Sequence, residues 1–387
     1  MDSVPYPAYR FTRAFSHTFL EIYWRKSDGH GQSTVKLTFS RQVVSSTQSI
    51  AVAVLMVVAA PGCGSGFRGR MGALPTPTIG TAWEDQQTLG KHAFGFTLAR
   101  EGNGIAYTRN AGHVDLAHIR IWADFTRVVM ERTYVAVMKD KRRVRFNLPT
   151  DPSIHIIELE YPQDWPERTV AQKEQAATDI SMAVAPYVAY CAGTWHEILT
   201  WHHYHSAIAF PEEPSAFSWE DGYSNALGVK IGMAALADEQ HDYDEAMTLA
   251  IERELDRLGV QHRDVSKEAS LKVKGKWFTG ELLAQVSKRN FDIGEDGYIT
   301  PTLVLQLVDG AEPEPIAVPM IDQVRQRLAG HGFGLHHEID SRVWETNTIM
   351  KKLPQKVARI KPDEHFPVIM AGIRQEAISR GYTDCDN

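Results

Sequence analysis

The stretch Val114–Met130 (VDLAHIRIWADFTRVVM) decides how the rest of the chain is read. Ala117, Ile121, Phe125 and Val128 recur at helical spacing, and Ile105–Thr108 before them has the composition of a short strand. Arg109 to His113 reads as the turn leading into that helix. Val144–Leu148 and Ile154–Tyr161 read as a hairpin joined through Pro149–Pro152, and Glu167–His203 as a long helical region with a kink or break at Pro186. Ser218–Ala237 and Tyr243–Leu258 follow as helices, the second ended by Gly259. Leu303–Val308, Ile316–Pro319 and Phe333–Ile339 then suggest a β-rich part before a final helix, Pro367–Arg380, closed by Gly381. Helices and strands in blocks argue for an α+β fold: one large domain over 82–387, a helical, bundle-like part packed with antiparallel strands.

The 387 residues are 43% hydrophobic and 23% charged, which suits a folded core and excludes a disordered or low-complexity chain. With 41 Lys plus Arg against 48 Asp plus Glu the formal charge is -7, and no basic stripe with interleaved aromatics appears, so nucleic acid is not an expected partner. Three cysteines are too few for a disulfide scaffold; Cys191 and Cys385 could pair in an oxidising periplasm, but their spacing carries no signal and buried free thiols are the default reading.

Ser49–Ala60 (SIAVAVLMVVAA) is an uncharged apolar run. It falls short of the roughly 20 residues that cross a bilayer and fits a secretory signal core. The Ala60-Pro61-Gly62-Cys63 sequence after it resembles a lipoprotein cleavage site, which makes Cys63 the expected lipidated residue. Residues 1–62 are thus read as an upstream extension plus lipoprotein signal peptide, with Val35 as the expected true start and Met1–Thr34 as an annotation artefact. Residues 63–81, rich in Gly and Pro, read as a flexible tether. From Cys63 onward 35 basic face 45 acidic side chains, so attachment to the membrane would depend on acyl chains, and Gly64 and Ser65 suggest the periplasmic face of the outer membrane.

Two clusters carry candidate chemistry. Asp115 and His118 share a helix face, with His113 at the helix start. Thr194–His205 contains His196 and Glu197 in a stretch that begins like the zinc-protease HExxH pattern and fails it at Thr200. If the two helices meet, His113, Asp115, His118 and His196 form a ligand set for zinc or another divalent metal, with Glu197 or Asp115 as the base that activates a metal-bound water. Arg120, Asp221, Ser224 and Asn225 are the expected substrate-binding residues of an adjoining pocket. The plain alternatives are a first-turn acid at the helix dipole, a solvated polar face, an i, i+4 ion pair of Arg120 with Asp124, and histidines 202, 203 and 205 crowding a helix end. Gly330, Gly332 and Gly334 lead into a strand rather than from strand to helix, so dinucleotide binding is not expected.

The ordered motifs GHVDLAHIRIWADFT, GTWHEILTWHHYHSAIAF, FSWEDGYSNALG and KWFTGELLAQVSKRNFDIGEDGYITPTLV resemble the bacterial family called domain of unknown function 4056, over Trp83–Tyr382. That resemblance implies an exported or lipid-anchored protein of one domain and carries no reaction or catalytic residues with it. The expected activity is metal-dependent hydrolysis of an ester or amide. The competing expectation is a non-catalytic envelope lipoprotein that scaffolds or binds an envelope lipid, glycan or peptide.

Overall fold

In the computed structural model the described residues are 81–95, 101–148, 151–205, 212–279 and 285–382, together with three strands nearer the N-terminus. The apolar run 49–60, Cys63, the tether up to Gly80 and Cys385 lie outside the described residues. Within residues 1–59, β1 (Thr12–Phe15), β2 (Thr18–Arg25) and β3 (Thr34–Phe39) form an antiparallel meander. Residues 60–387 form a separate unit, and that unit is a mixed α+β domain. Among the described residues no helix is long and apolar enough to cross a membrane.

The domain is organised by the stretch around Val114. Strands β4 (Ile105–Thr108) and β5 (Gly112–Asp115) form a hairpin with Thr108 opposite Gly112. The turn is therefore shorter than the sequence suggested, and His113 sits in a strand rather than at a helix start. Gly112 has φ +64, and a Cβ there would stand 2.3 Å from the Thr302 carbonyl, so only glycine fits. Asp115 closes β5 and caps the next helix, accepting from the backbone N–H of Ala117 at 2.7 Å and of His118 at 3.1 Å. Helix α1 (Leu116–Met138) runs two turns beyond its expected end and is buried on almost every side along its first four turns.

Strands β6 (Arg143–Asn147) and β7 (Ile154–Glu160) form the expected hairpin. Helix α2 (Val170–Trp201) starts in a capping box between Thr169 and Gln172 and passes through Pro186 without ending. It stops where His203 takes φ +68 and the Tyr204 N–H reaches back to Leu199, which satisfies the last carbonyls.

Helix α3 (Asp221–Leu236) lies parallel to α1 in a constant register. The Asp115 N–H donates to Ser224 Oγ, a Cβ on Gly228 would stand 2.4 Å from the Ile119 carbonyl, and one on Gly232 would stand 2.8 Å from Ala123 Cα. Glycines four apart on α3 thus let its backbone rest on that of α1. Gly193 of α2 packs against the Trp122 ring and Asn225 in the same way. These are close backbone approaches of the kind small residues permit.

Helix α4 (Tyr243–Arg257) is capped by Asp242 and ends at Gly259, φ +72, as expected. The remainder is less β-rich than the sequence suggested. It contains α5 (Arg263–Val273), the two-residue strands β8 (Tyr298–Ile299) and β9 (Ile316–Ala317), α6 (Ile321–Ala329), β10 (Gly334–Asp340), α7 (Thr346–Met350) and α8 (Pro362–Ser379). Strand β10 joins the hairpin as an antiparallel sheet in the order β10-β7-β6. Leu303–Val308 is a turn, not a strand. Val304, Leu307 and Val308 pack onto a small apolar cluster with Ala269 and Val273 of α5, so their burial comes from that cluster and not from a ladder. Helix α8 begins at Pro362, five residues before the expected start, because a first-turn proline has no helical N–H to lose.

The α1/α3 register sets the first prediction. Gly228→Ala, which drives a Cβ into the Ile119 backbone, is expected to cost about 2 kcal/mol or more of unfolding free energy in urea. Gly222→Ala, whose Cβ would meet only ordinary contacts at 3.5 Å, should be neutral or mildly stabilising. Equal effects from the two substitutions would contradict the backbone contact.

Candidate functional site

The parallel register of α1 and α3 brings their N-termini side by side, and α2 runs beside them in the opposite sense, with Gly193 at Trp122. Where the three meet, the sequence has put charge instead of hydrocarbon. Asp115 and His118 come from α1, Glu197 from α2, and Glu220 and Asp221 from the start of α3. All four carboxylates are buried, none more than 8% exposed, while His118 retains about a fifth of its side-chain surface and forms the open edge.

His118 Nδ1 stands 2.8 Å from Asp115 Oδ2 and 4.0 Å from Asp221 Oδ1, close enough for charge attraction although the ring is not aligned for a hydrogen bond. Burial works against an imidazolium here, but Asp115, Asp221 and Glu197 outweigh it and raise the His118 pKa to about 10. Glu197 accepts the Phe217 N–H at 2.8 Å, and Asp221 accepts the Ser218 N–H at 3.2 Å. Phe217 holds φ +55, a left-handed conformation uncommon outside glycine. Buried Arg289 fastens that turn by donating to the carbonyls of Glu213, Pro214 and Ala216. Arg289 is thus a positioning residue that sequence reading missed.

Two carboxyls are pushed toward neutrality. Burial raises Glu220 to about 7, with the Asp115 charge adding to the effect, and burial together with Glu197 raises Asp221 well above the usual carboxylate range. Among the described residues, no hydrogen-bond donor reaches the buried acceptors Glu220 Oε2 and Asn225 Oδ1. One imidazolium does not balance four carboxylates, and the raised pKa values of Glu220 and Asp221 reflect that excess. Among the described residues, no three His, Cys, Asp or Glu side chains are already gathered around a single metal position. His118 is turned to Asp115, Glu197 to the Phe217 N–H and Asp221 to the Ser218 N–H.

Of the expected metal ligands, Asp115 and His118 come together, and Glu197 joins them as the expected base. Asp221 of the expected substrate set also reaches this junction and Ser224 holds the Asp115 backbone, while Asn225 lies against Gly193 of α2. Three further residues do not reach it. His113, carried into a strand, accepts from Trp219 Nε1 at 3.2 Å and stands 3.0 Å from Ser270 Oγ; burial drops its pKa to about 3 and keeps it neutral. His196 faces the other way round α2, with Nδ1 3.8 Å from buried Asp151. Arg120 is fully buried on the opposite side of α1, where it donates to the Leu89 carbonyl and sits beside His92, itself paired with Asp124 at 2.9 Å. It belongs to the support of α1 and not to a substrate pocket. Cys191 is buried, and burial pushes its thiol pKa up, which disfavours the thiolate.

Glu220 stands in the quoted FSWEDGYSNALG motif, yet its role was legible only indirectly. Two adjacent acids open a helix whose first three turns are almost wholly buried, so both are taken out of solvent with it. A second buried polar set, Asp151, His155 and His337, also escaped sequence reading; His155 and His337 stand 3.3 Å apart. Two surface concavities, of about 310 and 750 Å³, contain no residue of the carboxylate junction.

Residues 73–302 match the family described as "Protein of unknown function (DUF4056)". No curated protein and no solved structure matches the chain.

The raised Glu220 pKa fixes a pH dependence. An acid whose folded pKa exceeds its unfolded value of 4.5 costs nothing below that pH and the most above about 7. The unfolding free energy of Glu220→Gln relative to the parent should therefore rise across pH 4.5 to 7, by on the order of 3 kcal/mol. Urea titrations at intervals across that range measure it, and a pH-independent difference would contradict the burial of an ionisable Glu220.

Proposed function

The chain belongs to this family of unknown function, and from that premise we propose an envelope lipoprotein, lipidated at Cys63, whose carboxylate junction takes up a divalent cation and hydrolyses an ester or amide. The observation that supports the catalytic part is the junction's charge. Four buried carboxylates face one imidazole, and among the described residues Glu220 Oε2 has no donor. A divalent cation is the general remedy for such an excess of acceptors, because it replaces protons and gives orphaned oxygens a partner. Glu220, Asp221 and Asp115 are the expected oxygen ligands, with His118 as a nitrogen ligand once it has lost its proton. The side chains must close from their present arrangement to do this.

A bound cation supplies two things, polarisation of the scissile carbonyl and a more acidic water. Glu197, anchored by the Phe217 N–H, then accepts the proton as the water oxygen bonds to the carbonyl carbon. The same carboxyl returns the proton to the leaving oxygen or nitrogen as that bond breaks. Helix N-termini of α1 and α3 at the junction favour the developing negative charge.

Ligation requires Glu220 to lose a proton held to about pH 7, so cation affinity should rise with pH through that value. Calorimetric titration with Mn²⁺, Zn²⁺ and Ca²⁺ should give one cation per chain for at least one of the three. Glu220→Gln and His118→Ala should weaken it at least tenfold while the chain stays folded by circular dichroism. Absence of binding by folded protein at millimolar cation would overturn the reading. Cation-stimulated cleavage of a chromogenic ester that falls at least a hundredfold in Glu197→Gln with binding retained tests the assigned base. The anchor is tested separately by mass spectrometry of the mature N-terminus, where Cys63 should carry diacylglycerol; an intact peptide spanning 55–70 would exclude it.

A further inference from the structure

Strand β6 is an edge of its sheet: in the order β10-β7-β6 it pairs, among the described residues, with β7 alone. The Leu159 N–H of β7 donates to the Arg142 carbonyl at 2.7 Å. Backbone groups alternate in direction along an antiparallel ladder, so Val144 and Phe146 bond to β7 while Arg143, Arg145 and Asn147 turn their N–H and C=O groups away from it. Among the described residues one group meets that outer edge. Arg132 of α1 donates to the Arg145 carbonyl at 3.4 Å, a long and exposed hydrogen bond that leaves the oxygen a second lone pair.

Positive charge is concentrated on the same edge. From Arg132 to Asn147 there are six basic side chains and one acidic one, in a chain whose formal charge is -7. Lys139, Lys141, Arg142, Arg143 and Arg145 are all exposed, and among the described residues only Arg143 of these five has an ion-pair partner, Glu158 at 3.2 Å. The single acid, Asp140, accepts from Trp165 Nε1 at 2.6 Å. Along β6 itself Arg143, Arg145 and Asn147 stand on the exposed face, and Val144 and Phe146 on the buried one. Basic side chains on an edge strand guard it against pairing with a copy of itself, because a second β6 would bring arginines together. The same charges favour a strand that carries carboxylates. Between residues 132 and 147 the one large apolar side chain left exposed is Val135, and no aromatic ring is exposed, so the edge offers a bilayer little to insert and a nucleic acid nothing to stack on.

We propose that β6 takes up an extended acidic peptide segment of a partner protein as a fourth strand of the sheet. The outward backbone groups of Arg143, Arg145 and Asn147 supply the ladder. Residues of an added strand that lie opposite Arg143 and Arg145 share their exposed face and stand two apart, so the recognised pattern is an acid at i and i+2. Lys139, Lys141 and Arg142 draw further acids at the start of the strand. Uptake of such a segment requires neither the carboxylate junction nor the Cys63 anchor.

Fluorescence anisotropy on the full chain, with a short labelled peptide of alternating glutamate and valine as the probe, tests this. Affinity should be at least about fivefold higher than for an isomer whose glutamates are gathered in one block. N-methylation of the peptide amides, which keeps the charge and removes the strand donors, should abolish binding. Amide hydrogen exchange over residues 143–147 should slow when the probe binds. Arg143→Glu with Arg145→Glu should weaken binding at least about tenfold, whereas Lys272→Glu with Lys274→Glu, an equal change of charge at exposed positions of another surface, should leave it unchanged. Circular dichroism checks the fold of both variants. Equal affinity for the block isomer or the N-methylated peptide, or equal effects of the two variants, would reduce the edge to a charged patch and overturn the proposal. So would displacement of the probe by a single-stranded oligonucleotide or by phosphatidylglycerol vesicles at equal charge, or no binding at about 1 mM peptide.

Discussion

Contact between the backbones of α1 and α3 is the constraint on which the molecule depends. Ile119 against Gly228 and Ala123 against Gly232 leave no room for a Cβ, and the same register, one turn earlier, sets Asp115 against Ser224. In this register α3, from Asp221, and α1, from Leu116, begin close to each other, so the caps and first turns of both converge. Each helix start then brings its own polar residues, and Glu197 of α2 completes the junction from the third side. Everything chemical about this site follows from where those helices begin.

Convergence has an electrostatic cost that the protein keeps. Burying Glu220 and Asp221 near Asp115 and Glu197 holds two carboxyls at raised pKa values, and His118 neutralises only part of the remainder. A core optimised for stability alone would have filled this space with hydrocarbon, since replacing buried ion networks by well-packed apolar groups is often neutral or stabilising. Perturbed acids at a shared junction are the usual mark of a working site. The left-handed Phe217 and the buried Arg289 that fastens its turn add local strain and support at the same place.

Much of this arrangement was legible from residue spacing. The α+β class, α1, α2, the β6–β7 hairpin, α4 and the pairing of Asp115 with His118 follow from periodicity and caps, which are local signals. Contacts between distant segments were not legible. His113 and Asp115 alternate along a strand, which points His113 away from the junction and toward Trp219 and Ser270, and no helical reading of the same letters could show that. His196 and Glu197 are neighbours on α2 and so diverge by a helical step, one meeting Asp151 and the other the α1/α3 junction. Arg120 looked like a pocket residue because its burial beside His92 and Leu89 depends on a segment 28 residues upstream. The C-terminal third misled because short apolar runs such as Leu303–Val308 bury themselves on a cluster as readily as in a ladder.

If the junction takes up a divalent cation as proposed, protons must leave it, and their release on cation binding can be counted directly. Calorimetric titration at pH 6 in two buffers of different ionisation enthalpy counts the protons displaced. About one or more protons should be released per cation bound, since His118 and Glu220 hold theirs at that pH, and fewer in Glu220→Gln. Cation binding that displaces no protons, or that displaces the same number in Glu220→Gln, would contradict it.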